Sequence, residues 1–397
     1  MTLTFPESFF FGTSTSAAQI ETAFQHDWQG LRALDGSIFD STTAHETRFD
    51  QDAEIIRYLG TDYRFSLMWS KLQRAPLAPL DRETTVAYHR LLDLLKAKDV
   101  RLMMVLHHWV NPAWFAESGG WSNPKNISVW VDYAKKIIDE FGHKIDLWNT
   151  FNEPNLYVTL AYAAGLFPPF ARNAFQATRA IGNMSQAHKI VYEYLKHRFP
   201  DKLVGVSHNY VSFHAENLSG AIPARIAKAW YRDYLGGFFN DSDFTGLSYY
   251  ARIGFNPLPV TQIYTPGKIR DQGKRHDDIW EYYPDGLQEG IRYFFDRFKK
   301  PVIITENGFC TSDDAKRVAA IRDYAVILHR ALDEQYPILG YYHWTAWDNF
   351  EWTLGMNYKF GLFSFDPVSL TRQPKPSASV YAQLAHRKFI NLEGEAT

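Results

Sequence analysis

One feature constrains this chain more than any other. Short apolar or β-rich segments recur along it, each followed by a longer amphipathic one. Phe9–Thr15, Asp62–Ser66, Arg101–His107, Leu147–Phe151, Leu203–His208, Phe244–Tyr249, Pro301–Thr305 and Leu339–Thr345 read as eight strands. Several are near-continuous apolar runs, the pattern of parallel strands buried on both faces. Helical periodicity falls between them, at Thr85–Ala97, Val129–Phe141, Gln186–Phe199, Leu287–Phe298 and Ala315–Leu332. Pro374 and Pro376 introduce a last helix at about Ser377–Phe389. Strands that alternate with helices predict an α/β fold with a parallel sheet. Eight such units predict closure into a (β/α)₈ TIM barrel. An open doubly wound sheet would carry a Gly-rich phosphate loop after its first strand. Here Ser16-Ala17-Ala18-Gln19 follows instead, and no G-x-G-x-x-G occurs.

A barrel takes about 250 residues, and over 400 with loop insertions. The 397 residues therefore fit one barrel, and no linker, repeat or low-complexity stretch divides residues 1–397. A single domain is expected. Asn256–Lys274, polar and holding Pro257, Pro259 and Pro266, is expected as a long loop after the sixth strand. The net charge is −2 with no basic or acidic block, which points to no nucleic-acid or membrane partner. The single cysteine, Cys310, excludes an internal disulfide. Met1-Thr2-Leu3-Thr4-Phe5-Pro6 lacks the basic and apolar regions of a secretory signal, so a cytoplasmic location is expected. The oligomeric state is left open.

Barrel enzymes carry their chemistry at the C-terminal ends of the strands. Two carboxylates fall there: Glu153 in Trp148-Asn149-Thr150-Phe151-Asn152-Glu153-Pro154, and Glu306 in Ile303-Ile304-Thr305-Glu306-Asn307-Gly308. Either alone reads as a surface glutamate. Two, on strands that can face each other across a barrel, are the pair that glycoside hydrolysis requires. H-E-x-x-H, C-x-x-C and G-x-S-x-G are all absent, so neither a metal site nor a cofactor is expected.

From these motifs the chain resembles glycoside hydrolase family 1, the β-glucosidase family, over nearly its whole length. The resemblance is carried by Phe10-Phe11-Gly12-Thr13-Ser14-Thr15-Ser16-Ala17-Ala18-Gln19-Ile20-Glu21, Tyr63-Arg64-Phe65-Ser66-Leu67-Met68-Trp69 and Leu106-His107-His108-Trp109. The two glutamate motifs follow. Trp344-Thr345-Ala346-Trp347-Asp348-Asn349-Phe350-Glu351-Trp352 and Phe360-Gly361-Leu362 come last. Each motif is weak singly; together, in the family's order, they are specific.

The resemblance implies a retaining β-glycosidase, most readily a β-glucosidase acting on a small-molecule β-glycoside. It implies Glu153 as acid/base and Glu306 as nucleophile, held about 5–5.5 Å apart as in retaining enzymes. Arg64 and Tyr250 are then expected beside Glu306. Asn152 is expected at the sugar 2-hydroxyl, and Gln19, His108, Glu351 and Trp352 around the other hydroxyls. Trp344 is expected under the sugar ring and Trp280 on the aglycone side, with Trp109 and Phe360 in the substrate-binding set. Three positions depart from the family: Thr22 and Ser248 replace its usual Gly and Asn, and Val110 its usual Asp. Glu351 argues against a phosphorylated sugar, since a carboxylate would repel the phosphate. Glu153, where thioglucosidases carry Gln, argues against that subgroup. A β-galactosidase or β-fucosidase, and a catalytically silent sugar-binding barrel, remain as alternatives.

Overall fold

The computed structural model of the chain describes residues 2–40, 42–256, 258–259 and 275–392. Eight parallel strands form its centre: β1 (Phe10–Ser14), β2 (Asp62–Ser66), β3 (Arg101–His107), β4 (Leu147–Asn152), β5 (Leu203–Ala215), β6 (Phe244–Asn256), β7 (Val302–Asn307) and β8 (Ile338–Trp344). Each pairs with its neighbours in sequence, β8 pairs with β1, and β5 pairs with β6, so the sheet closes on itself. Helices α1 (Phe49–Leu59), α2 (Arg82–Lys96), α3 (Asn126–Phe141), α4 (Ala174–Arg198), α5 (Ala221–Ala227), α6 (Asp285–Phe298), α7 (Asp314–Asp333) and α8 (Pro376–Arg387) follow the strands in turn.

The expected strands all form, with ends displaced by a residue or so except in β5 and β6. Those two run on to Ala215 and Asn256 and pair as far as Ala215 opposite Phe255. Asn256 therefore closes a strand rather than opening a loop, and Leu258–Pro259 turns back against it. The rest of the expected Asn256–Lys274 loop, residues 257 and 260–274, lies outside the described residues. α4 begins at Ala174, twelve residues before the expected Gln186. α1 was not expected, because five polar or charged residues dilute its sequence. Its stripe of Phe49, Ala53, Ile56 and Leu59 is nevertheless fully buried.

Side chains alternate across each strand. In β2, Tyr63 and Phe65 stack at 5.2 Å and belong to the large core between sheet and helices, while Arg64 points the other way. Inside the barrel, Phe10, Met103, Leu147, Phe244, Ile303 and Tyr342 form a separate apolar layer. These come from the lower turns of β1, β3, β4, β6, β7 and β8. The next layer up, holding Ser14, Arg64, Asn149 and Ser207, is polar and fully buried. That polar layer is the floor on which the upper ends of the strands place their residues.

Candidate active site

Arg64 organises the floor. It is completely buried, and its guanidinium donates through Nη1 to Ser14 Oγ at 2.9 Å and through Nη2 to Ser207 Oγ at 3.1 Å. Its Nη2 also donates to Asn152 Oδ1. The remaining bond, from Nη1 at 2.7 Å, goes to Glu306 Oε1. Tyr250 donates its hydroxyl to the other carboxylate oxygen of Glu306 at 3.0 Å. Glu306 is thus gripped at both oxygens. It lies within β7, opposite Ser248, so strand pairing fixes its backbone. Gly308 follows because β8 passes so close there that an added Cβ would sit 2.1 Å from the Trp344 carbonyl oxygen.

Glu153 directly follows β4 and leads into the short helix Pro154–Val158, with a left-handed φ of 43°. A non-glycine residue rarely adopts that conformation, and such strain concentrates at functional sites. Its N–H donates to the Ser207 carbonyl at 2.8 Å, and its Oε1 accepts from Asn209 Nδ2 at 2.9 Å. Trp109 and Trp352 adopt the same conformation, with φ of 68° and 44°.

The two carboxyls differ in their electrostatics. Burial and the negative charge of Glu306 push Glu153 up to about 8, against bonds from Asn209 and Ser248 and the Arg64 charge. Burial raises Glu306 too, but the Arg64 charge, the Arg64 bond and the Tyr250 bond all favour its ionised form. One carboxyl is equipped to stay ionised and the other to keep a proton.

The other expected residues gather around this pair. Asn152 Nδ2 donates to His108 Nε2 at 2.9 Å, and that nitrogen lies 3.9 Å from Glu306 Oε1. Burial and the Arg64 charge hold His108 well below its ordinary range, so it is neutral, with its proton on Nδ1. Gln19 Nε2 reaches Glu351 Oε2 at 3.3 Å and the Phe350 carbonyl at 2.9 Å. Burial and the Glu306 charge push Glu351 up to about 8. Gln19 Oε1 and His108 Nδ1 are both buried without a hydrogen-bond partner among the described residues.

Trp344 and Phe360 pack together with Ile279 and Cys310, flanked by Tyr250 and Trp280. The Trp280 ring lies 5.4 Å from that of Tyr250 and 6.2 Å from that of Phe360. Trp352 stacks near His108 at 6.0 Å and leans on Trp109 at 4.8 Å. Trp109 gives its indole N–H to the Asn152 carbonyl at 3.0 Å, and its ring is buried, as are those of Trp344 and Trp352. It braces Asn152 and Trp352 from behind.

Not every motif residue belongs to the site. Trp347 donates to Thr43, while Asp348 binds Lys375 and the Gly361 N–H. Glu21 holds Lys71 and Tyr88. These residues tie loops to the barrel. Conversely, sequence reasoning missed Ser14, Ser207, Asn209 and Tyr231. Asn209 had a usable signal, since it directly follows the expected end of the fifth strand, as Asn152 does the fourth. Tyr231 had none, because it comes from the segment Lys228–Tyr234 after α5.

A closed barrel with a buried carboxyl pair at its upper rim is the architecture of a glycoside-cleaving enzyme. The model of glycosyl hydrolase family 1 matches residues 1–255 and 240–389, and the chain belongs to that family. It is similar to "Beta-glucosidase A" of Acetivibrio thermocellus, 26% identical over 96% of this chain and 98% of the relative. It is also similar to "Beta-galactosidase" of Pyrococcus woesei, 26% identical over 98% and 99% of the two chains. Among solved structures, a β-glycosidase from Pyrococcus horikoshii superposes with a TM-score of 0.89 at 29% identity, covering 98% of this chain and 97% of that one. The chain is a glycoside hydrolase. Among the described residues, no helix is long and apolar enough to cross a membrane.

Proposed function

We propose that the chain, acting as one domain, is a retaining β-glucosidase that removes terminal non-reducing β-D-glucosyl residues by double displacement. The observation that carries this reading is the electrical asymmetry of the carboxyl pair: Arg64 and Tyr250 grip Glu306, while Glu153 keeps a proton near neutral pH. In the first step Glu306 attacks the anomeric carbon, and Glu153 gives its proton to the departing glycosidic oxygen. Forming the ester removes the negative charge of Glu306, which is the second-largest cause raising Glu153. That transfer leaves Glu153 ionised, and with the Glu306 charge gone its pKa falls, so it stays a carboxylate and serves as the base that takes a proton from the attacking water. The unpartnered Gln19 Oε1 and His108 Nδ1 supply one acceptor and one donor for sugar hydroxyls, with Glu351 beside them.

The test uses azide, a small anion that needs no deprotonation. Glu153→Ala should form the intermediate from a dinitrophenyl β-glucoside, stall, and with azide release the β-glycosyl azide. Glu306→Ala should be inactive alone and yield the α-glycosyl azide. Exchanged configurations would reverse the two roles, and no rescue in either variant would remove the mechanism. A panel of aryl β-glucosides, galactosides and fucosides tests the sugar, because the chain is as similar to a protein named β-galactosidase as to one named β-glucosidase.

A further inference from the structure

Asn209 and Tyr231 form a hydrogen-bonded line that ends on Glu153. The backbone of Asn209 is tied to the turn that carries Glu153: its N–H donates to Asn155 Oδ1 at 3.1 Å, and Asn155 Nδ2 donates to its carbonyl at 2.8 Å. Asn209 therefore cannot move independently of Glu153, and its remaining freedom is the flip of its amide. The amide has two unlike sides of nearly equal shape. One orientation offers a donor to Glu153 Oε1, the other an acceptor.

Tyr231 decides between them. Its hydroxyl donates to Asn209 Oδ1, so the amide nitrogen faces Glu153 Oε1 at 2.9 Å. Tyr231 is buried, its ring packed edge-on against Phe213, and its hydroxyl has no other acceptor among the described residues. Flipping the amide would leave that buried hydroxyl hydrogen unpaired, which is costly. An oxygen that accepts from an amide N–H cannot also carry the acidic proton along the same line.

We propose that Tyr231 is a positioning residue that, through Asn209, keeps the proton of Glu153 on Oε2 and leaves Oε1 as a fixed acceptor. This rests on Glu153 being the acid/base. The proton is thereby kept off the oxygen that faces the protein. The same line favours the ionised form, as the base step needs. Burial and the Glu153 charge hold the Tyr231 hydroxyl well above its ordinary range, so it stays a donor throughout. The other charged or titratable groups that act on Glu153 are Glu306, Arg64 and Tyr250. Tyr231 touches none of them in the described hydrogen bonds.

The experiment measures kcat/KM against pH for aryl β-glucosides of graded leaving-group acidity. In Tyr231→Phe the amide is free to flip, so Oε1 can hold the proton and the N–H that favoured the carboxylate is lost part of the time. Two changes follow. The basic limb moves to higher pH, and poor leaving groups lose about tenfold, within the range general acid catalysis spans, while a dinitrophenyl glucoside keeps its rate. Asn209→Leu should reproduce both changes, and adding Tyr231→Phe to it should change nothing further. A wild-type basic limb and leaving-group dependence in Tyr231→Phe would overturn the proposal. So would a further shift on the Asn209→Leu background, because Tyr231 would then act by another route. Glu153→Ala, run in parallel, separates the underlying reading: if it kept the basic limb, Glu153 would not be the acid, whatever Tyr231→Phe did.

Discussion

Replacing Arg64 by Met removes the cation that holds Glu306 while keeping a long apolar stem. Four hydrogen bonds disappear, to Ser14, Asn152, Ser207 and Glu306. The bond to Glu306 is the one that bears on ionisation, because it is charge-assisted, 2.7 Å long and shielded from water. A hydrogen bond to a charged group contributes about 1.5–3 kcal/mol. At about 1.36 kcal/mol per pKa unit, its loss should raise Glu306 by about 1–2 units. The nucleophile must be ionised, so the acid limb of kcat/KM should move up by that amount. Near the old midpoint, activity should fall by about five- to fiftyfold. The assay is kcat/KM for an aryl β-glucoside across pH, on protein whose folding is verified by near-ultraviolet circular dichroism. Tyr250→Phe removes a neutral donor from the same carboxylate and should move the limb in the same direction by less. An acid limb that stays in place in Arg64→Met would refute the assignment of Glu306 as the group that must be ionised.

Two more predictions rest on the remaining carboxyls. Glu351→Ser, which leaves the buried Gln19 amide without that partner, should cost about 1–3 kcal/mol in kcat/KM for neutral glucosides; an unchanged value would take Glu351 out of the sugar site. Glu153, raised to about 8 in the fold, contributes stability that is complete below its unfolded value of about 4.5 and is lost as pH rises through 8. The midpoint of thermal unfolding should therefore fall between pH 5 and 8 more in the wild type than in Glu153→Gln, and identical slopes would contradict the burial of that proton.

The number and order of the barrel units were legible in the sequence. Apolar runs such as Arg101–His107 can be buried only on both faces of a parallel sheet, so their identity is written in local composition. The sequence also determined where to look for chemistry, since Glu153 and Glu306 stand at strand ends in polar turns. The shared motifs supplied the other expected positions, from Gln19 to Phe360. What local pattern could not hold was the polar floor: Ser14, Arg64, Asn152 and Ser207 meet from β1, β2, β4 and β5, and no periodicity links them. Nor could it distinguish Trp109 as a brace or Trp347 as an anchor, because a tryptophan's role depends on what its N–H meets across the fold. The left-handed backbone of Glu153 is a tertiary result as well, imposed on a residue with little preference for it by the closing of β4 against β5. The two glutamates illustrate the division most directly. They are the same residue type at equivalent strand ends, and sequence alone names them as a pair. Which one keeps its proton is decided by Arg64 and Tyr250, which grip Glu306 and leave Glu153 to burial and the Glu306 charge, groups brought there from β2 and β6 only when the barrel closes.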